Sequence, residues 1–279
     1  MKRTLTFIFI ATLFFTLFLT PKAFAHELFI EVKEDRQTGE LRIDVLWGHI
    51  RDFLEVANYE DFELFVRDPG GNVEQLELEG IGVQGRAHLI PQTEGEYVFL
   101  ANRKAGTYTP GDGITRLSVQ MAKTVYHVGD GPETVSQPVD LLLDIVPETS
   151  VKNFDIGTFK GNVLLNGSTI AEATVTAYGP KDEILEGTTD SDGAFEFEIT
   201  SNGQWLLKAN IETEESGNVD GGDYELTSRT STLLIDNTKE APATTTSTTN
   251  ANPFTLITIL VIGLLLGSAL TFMFTKGKK

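Results

Sequence analysis

Short stretches of alternating apolar and polar residues, separated by turn signals, dominate the middle of this sequence. Turns rich in glycine or proline, such as DPGGN and PGDG, divide stretches that are rich in Val, Ile, Leu and Phe. Alternation with a period of two predicts strands that bury one face. No convincing helical period occurs between the two chain ends, so the predicted fold class is all-β. Strands are expected at residues 26–34, 40–49, 62–68, 73–80, 95–103, 115–128 and 139–147.

A second group of strands follows a break at residues 147–157. The segments GNVLLNGSTIAEATVTAY, GTTDSDGAFEFEI and GQWLLKANI resemble the prealbumin-like or carboxypeptidase-regulatory-like β-sandwich. We therefore expect an N-terminal β-sandwich over residues 26–147 and a prealbumin-like β-sandwich over residues 148–236. A hairpin is expected at Asp192-Gly193, because glycine tolerates a positive φ.

The DSDG motif of this second segment raises the question of calcium. The EF-hand spacing places Thr188 at the first ligand position and Ile199 at the position of the bidentate acid, so that motif does not fit.

The N-terminal end of the chain has the order of a secretory signal peptide. Lys2 and Arg3 precede a long apolar run, which ends in the small-x-small triplet Ala23-Phe24-Ala25. This order predicts a signal peptide over residues 1–25. Cleavage after Ala25 leaves His26 as the first residue, with a free α-amino group beside its imidazole. The alternative is an uncleaved membrane anchor.

The C-terminal end predicts a single membrane span. Residues 253–274 carry no charge and have the length that crosses the hydrocarbon core. The basic tail, residues 275–279, is expected on the cytoplasmic side. Residues 237–252 are rich in Thr and form the expected stalk. Residues 26–252 are thus expected outside the cytoplasm, on the periplasmic or extracellular face of the cell membrane.

Charge and the absence of cysteine exclude several classes of function. The net charge is −18, and removing Lys2, Arg3 and Lys22 with the signal peptide makes it −21. An acidic surface does not bind the phosphates of nucleic acid, so no nucleic-acid partner is expected. Without cysteine the chain has no disulfides, no thiolate metal sites and no thiol catalysis.

Four histidines are the candidate metal ligands: His26, His49, His88 and His127. Each alone is more often a structural, hydrogen-bonded imidazole. All four nevertheless fall within residues 26–147, and imidazole suits nickel, cobalt, copper and zinc. An N-terminal histidine can also chelate through its α-amine, whose ordinary pKa is about 8. Met121 is the only methionine between the two membrane signals, which argues against a thioether site for Cu(I).

The motifs together resemble one known family. The stretches that carry the likeness are AHELFIEV, WGH, YHVGDG, PVDLLLDIVP, VLLNGSTIAEATVTAY, TDSDGAFEFEI and NGQWLLKANI. They are similar to the extracytoplasmic NikK-type proteins that accompany nickel and cobalt uptake systems of the energy-coupling-factor kind. The resemblance implies a non-enzymatic protein that binds Ni²⁺ or Co²⁺ and delivers it to the membrane components of the transporter. Cu²⁺ and Zn²⁺ suit the same ligands.

The metal-ligand positions of that family match the four histidines of this sequence to different degrees. The terminal histidine corresponds to His26 and the Gly-His position to His49, whereas His88 and His127 rest mainly on their clustering with these two. No ATP-binding loop occurs, and only one lasting span is expected, so the chain is not itself the pump.

Two other functions fit the same sequence. One is a copper oxidase or copper-binding protein with a histidine brace, in which the terminal histidine and a second histidine hold Cu²⁺. The other is a surface-anchored adhesion or scaffold protein that binds no metal.

Overall fold

The computed structural model describes residues 26–50 and 54–237, and most of these residues lie in strands. The all-β prediction is confirmed for them, since the short 3₁₀ helix η1 (Tyr59–Asp61) is the only helix in these two ranges. None of the described helices is long and apolar enough to span a membrane. The predicted signal peptide (1–25), most of the stalk, the transmembrane helix (253–274) and the tail lie outside the described residues.

The part of the chain that the structure describes contains eighteen strands. In chain order they are β1 (Glu27–Asp35), β2 (Glu40–Gly48), β3 (Phe62–Arg67), β4 (Val73–Leu76), β5 (Glu79–Ile81), β6 (Gln84–Leu89), β7 (Gly95–Tyr108), β8 (Arg116–Val128), β9 (Leu143–Pro147), β10 (Gly157–Leu165), β11 (Ser168–Thr169), β12 (Thr174–Tyr178), β13 (Ile184–Thr188), β14 (Ala194–Ile199), β15 (Gln204–Thr213), β16 (Gly217–Val219), β17 (Gly222–Tyr224) and β18 (Leu226–Asp236).

These strands form one long sheet and two smaller ones. The central sheet has eight strands in the order β13-β12-β15-β18-β8-β7-β3-β4. The N-terminal sheet has the order β1-β2-β6-β5. In the third sheet β10 pairs with β9, β11 and β14. β16 and β17 form a separate hairpin.

The central sheet lies between the other two sheets. On β7, Val98 and Leu100 enter the hydrophobic core that the central sheet shares with β9, β10 and β14. Phe99 and Ala101 enter the core that it shares with the N-terminal sheet. Because successive residues of a strand face opposite sides, one strand contributes to both cores. The sandwich architecture therefore has three layers.

The two halves of the central sheet are joined by a parallel pairing of β8 with β18. Its register runs from Arg116 beside Leu226 to Thr124 beside Leu234, and every other strand pair named above is antiparallel. β8 comes from the first predicted sandwich segment and β18 from the second. The structure therefore joins residues 26–147 and 148–236 in one sheet and in one compact unit.

Two details of the strand prediction differ from the structure. The strand expected over residues 73–80 is divided into β4 and β5, which pair with strands of different sheets. β6 was not among the predicted strands, because its residues, QGRAHL, include few apolar side chains. The turn predicted at Asp192-Gly193 is present, with a φ of 75° at Gly193. It is not a hairpin, because the strands on either side, β13 and β14, pair in different sheets.

The shared sheet predicts one cooperative unfolding transition for the two segments. Trp47 lies in the first segment and Trp205 in the second, so each segment carries its own fluorescent reporter. Leu233 of β18 is 0% exposed, and Leu233→Ala should destabilise the protein by about 2–5 kcal/mol. Leu233→Ala is compared with its parent in two proteins, one that retains only Trp47 and one that retains only Trp205. Denaturant unfolding, followed by fluorescence, should show the same shift in midpoint for both reporters.

Ile184→Ala is the matched control, because Ile184 is 37% exposed on an edge strand. It should move neither midpoint appreciably. A Leu233→Ala protein in which Trp47 keeps the wild-type midpoint would contradict the single unit.

Candidate functional site

The hairpin of β1 and β2 brings two of the predicted histidines together. The register places Glu27 opposite Gly48, so His26 and His49 lie just beyond the same end of the hairpin. Gly48 has a φ of 140°, which favours glycine and lets the chain turn away from β2 at this point. The two imidazole rings lie with their centroids 4.9 Å apart.

The chain after His49 returns to the same place. The amide of Glu55 donates a 2.9 Å hydrogen bond to the carbonyl of Trp47, which brings the Glu55 side chain next to His26. Nε2 of His26 lies 2.7 Å from Oε1 of Glu55. The ring of His26 also lies 5.6 Å from that of Trp47.

Glu27 holds the other side of the histidine pair. Its side chain is almost fully buried, and its Oε2 lies 3.6 Å from Nδ1 of His49. Its Oε1 accepts a 3.0 Å hydrogen bond from Nζ of Lys208, which also donates to the hydroxyl of Tyr178 at 2.8 Å. Burial alone lowers the pKa of Lys208, but the charge of Glu27 and the contact with Tyr178 outweigh it and raise this pKa above its ordinary value. Lys208 therefore remains charged and neutralises Glu27.

A small hydrophobic cluster holds β1 and β2 against β15 and β18. Its buried members are Phe29, Leu46, Leu206 and Leu234. Next to it, the buried hydroxyl of Thr232 donates a 2.6 Å hydrogen bond to the carbonyl oxygen of Leu28. These contacts bring Lys208 of β15 within reach of Glu27, although the two residues are 181 positions apart.

The histidine pair lies beside a wide groove of about 910 Å³, most of whose lining residues are of polar types. His26 and Trp47 line one part of it, and the guanidinium carbon of Arg103 lies 4.3 Å from the centre of the Trp47 ring. Gln120 also lines the groove, and its buried Oε1 has no hydrogen-bond partner. His49 instead lines a second cavity of about 390 Å³. Space for solvent therefore reaches the pair from two directions.

The two carboxylates bear on which ring nitrogen of each histidine carries the proton and which carries the lone pair that a metal needs. Glu55 accepts the proton of His26 when that proton is on Nε2, and this leaves the lone pair on Nδ1, the nitrogen nearest the main chain. Carboxylates that orient the imidazoles of metal sites act in this way. Nδ1 of His49 faces Glu27 at a distance longer than a hydrogen bond, so the same argument is weaker there.

The side chains alone supply an incomplete set of ligands. No group of three or more His, Cys, Asp or Glu side chains within residues 26–50 and 54–237 is arranged to hold a metal ion. The histidine pair provides two nitrogens. If the chain is cleaved after Ala25, the α-amine of His26 provides a third, and the three nitrogens then suit a divalent ion such as Ni²⁺, Co²⁺ or Cu²⁺.

The other two predicted ligands lie elsewhere. His88 is half-exposed on β6, 3.4 Å from Glu40 and opposite Arg42 of β2. Arg42 is six residues before Gly48, so His88 is roughly 20 Å from the histidine pair at 3.3 Å per residue. It cannot share an ion with His26 and His49.

His127 faces Glu96 across β7 and β8. Gln120 of β8 lines the same groove as His26. His127 is seven residues further along β8 and therefore lies roughly 23 Å from Gln120 along the strand. Both of its ring nitrogens are buried without a hydrogen-bond partner. The expected set of four histidines therefore contains one pair and two separate residues, and metal binding by His88 or His127 stays a prediction.

Sequence reasoning did not single out Glu27, Glu55 or Lys208. Glu27 had a local signal, since it stands between His26 and the short apolar run LFI. Glu55 and Lys208 had none, because their contacts with the site depend on a turn after β2 and on long-range packing.

The described residues thus define an all-β protein of stacked sheets, with two adjacent histidines at one end of a hairpin. Residues 23–213 match the sequence profile of a family that is described as "Domain of unknown function (DUF4198)", and the chain belongs to this family. No match is found among curated proteins.

Solved structures resemble the chain only weakly. A Ca²⁺-stabilized adhesin that helps an Antarctic bacterium bind ice is 9% identical with a TM-score of 0.24, and the match covers 77% of this chain and 49% of that one. A DUF4785 family protein from Legionella pneumophila is 12% identical with a TM-score of 0.23, with coverage of 64% and 52%. The fibronectin(III)-like modules of Clostridium thermocellum CbhA are 9% identical with a TM-score of 0.19, with coverage of 74% and 94%. The chain spans about half the length of the first two, and likeness at this level carries no argument about function.

The contact between Lys208 and Glu27 predicts a strong effect of one substitution. Lys208→Met leaves the buried carboxylate of Glu27 without its cation, and breaking a buried pair in this way costs about 3–5 kcal/mol. Lys33→Met is the matched control, because Lys33 pairs with Glu31 at 2.8 Å on the surface of the same hairpin. An exposed pair contributes less than about 1 kcal/mol. Denaturant unfolding measures both values.

The effect of Lys208 on stability should depend on pH. Its pKa is raised in the folded protein, so its contribution is fully present below the unfolded pKa of about 10.4. The contribution is then lost as the pH rises through the higher folded value. The difference in unfolding free energy between wild type and Lys208→Met should therefore be constant at neutral pH and shrink in strong alkali. Equal losses from Lys208→Met and Lys33→Met at neutral pH would contradict the assignment.

Proposed function

We propose that this protein binds a divalent transition metal, Ni²⁺ or Co²⁺, outside the cytoplasm and presents it to the membrane components of an uptake transporter. The observation that supports this proposal most is the adjacency of His26 and His49, whose rings are 4.9 Å apart between two carboxylates. The resemblance of AHELFIEV and WGH to NikK-type proteins concerns these same two positions.

The proposed ligands are nitrogens from the terminal residue and from His49. Cleavage after Ala25 makes the α-amine of His26, which closes a chelate ring with Nδ1 of the same residue. A ring nitrogen of His49 is the third ligand. Metal binding displaces protons from the amine and the imidazoles, so affinity falls as the solution is acidified.

The unequal burial of the pair suits a protein that passes its metal on. The side chain of His49 is 12% exposed and stands against the buried Glu27, whereas that of His26 is 32% exposed beside the exposed Glu55. An ion held between the two rings can thus be reached from the His26 side. The net charge of −18 attracts cations to the surface in general. The predicted C-terminal span would keep the site at the membrane where a transporter works.

The chelate is tested by moving the amine without changing any side chain. Adding one residue before His26 converts its α-amine into an amide nitrogen, which is a poor metal ligand at neutral pH. Calorimetry with Ni²⁺, Co²⁺ and Cu²⁺ should show a loss of affinity for the extended protein. His49→Ala should weaken binding as well. Removal of a residue that only orients a metal ligand costs roughly 10–100-fold in affinity, and the loss here should be larger because His49 is itself a proposed ligand.

The matched control is His88→Ala, because His88 lies on the same sheet but distant from the pair. It should leave the affinity unchanged. An extended protein that binds as tightly as the native one would overturn the terminal-histidine site. Oxygen-dependent activity of the Cu²⁺-loaded protein with ascorbate would instead favour the histidine-brace copper oxidase, and no stoichiometric binding at all would favour the adhesion or scaffold protein.

A further inference from the structure

A lysine and an aspartate contact each other at the core between the central and third sheets. Lys123 of β8 is 1% exposed and Asp144 of β9 is 2% exposed, and the ammonium of Lys123 donates to Oδ1 of Asp144. The flanking residues Met121 and Leu143 belong to the hydrophobic core between the central and third sheets. The pair therefore connects two layers of the fold and is buried from the surface.

The surroundings favour the neutral, nucleophilic form of the Lys123 amine. Burial lowers the pKa of Lys123 below its ordinary value, although Asp144 acts in the opposite direction. The other carboxylate oxygen, Oδ2, accepts a 3.0 Å hydrogen bond from the amide of Val139. Two more buried charges, Arg67 and Glu96, lie close enough to act on the pair electrostatically.

We propose that Lys123 and Asp144 join through an amide bond, which forms an internal cross-link between β8 and β9. The proton that Nζ donates to Oδ1 moves onto that oxygen, which leaves a neutral amine beside a neutral carboxylic acid. Nζ then attacks Cγ, and a bond between these atoms forms. The bond between Cγ and Oδ1 breaks, and Oδ1 leaves as water with a second proton from Nζ. No oxidant or other reactant is consumed.

Each contact around the pair has a part in this step. Direct contact between Nζ and the carboxyl group places the nucleophile at its target before the reaction begins. The amide of Val139 points at Oδ2, where negative charge develops as Nζ adds to Cγ, and such a donor stabilises that charge. The product is a neutral amide, so two charges whose burial costs free energy are removed.

The cross-link gives the fold the kind of covalent stabilisation that disulfides give other proteins. The chain has no cysteine and so cannot use disulfides. A bond from Lys123 to Asp144 closes a loop of the intervening residues and ties the central sheet to the third sheet. Closing such a loop restricts the unfolded chain in the same manner as a disulfide.

Digestion with trypsin followed by mass spectrometry tests the bond on the full-length protein. Trypsin does not cleave after an acylated lysine, and no Lys or Arg lies between residues 123 and 152. A cross-linked chain yields one peptide over residues 117–152, lighter than its sequence by one water molecule. A chain without the bond yields two peptides, 117–123 and 124–152. We expect the single peptide, and the two separate peptides from wild type would overturn the proposal.

Two variants identify the atoms involved. Asp144→Asn retains a carbonyl group and should give the same linked peptide with the same mass, because ammonia leaves in place of water. Asp144→Ala removes the carbon that Nζ attacks, so cleavage after Lys123 should be restored. A water loss that persists in Asp144→Ala would assign the bond to another residue and contradict the proposal.

Discussion

The pairing of β8 with β18 is the contact on which the rest of the fold depends. Parallel strands cannot be joined by a short turn, so a long segment must leave β8 and return before β18 can pair with it. That segment contains β9 to β17, and it supplies the third sheet and three of the eight strands of the central sheet. This parallel pairing, the seam of the central sheet, brings two stretches of sequence into one core. Leu100 of the first stretch and Leu233 of the second both belong to that core.

The candidate metal site depends on the same seam. The hairpin of β1 and β2 alone places His26 near His49, but the buried Glu27 needs the cation of Lys208, which belongs to β15. β15 reaches this position because it pairs with β18, which in turn pairs with β8. The pair of imidazoles is local in origin, and its electrostatic support comes from the distant half of the chain.

This division explains what could be predicted from the sequence. The alternation of apolar residues predicts β1, β2, β3 and β8 closely and β7 as far as residue 103, and the pairing of His26 with His49 follows from the two ends of one hairpin. The parallel seam could not be predicted, since no local pattern distinguishes a strand that pairs with a neighbour from one that pairs with a strand about a hundred residues away. For the same reason, the contact between Lys208 and Glu27 and that between Lys123 and Asp144 were not predicted.

X-ray absorption spectroscopy on the Ni²⁺-loaded protein, with its native N-terminus, tests the central claim most directly. Imidazole ligands give multiple scattering from their outer ring atoms, and the strength of this scattering counts the rings bound to the metal. Because the structure places His26 and His49 side by side, we predict two imidazoles per nickel ion, and one in His49→Ala. A nickel environment of oxygen ligands alone, or a spectrum that His49→Ala does not change, would contradict a metal site at this pair.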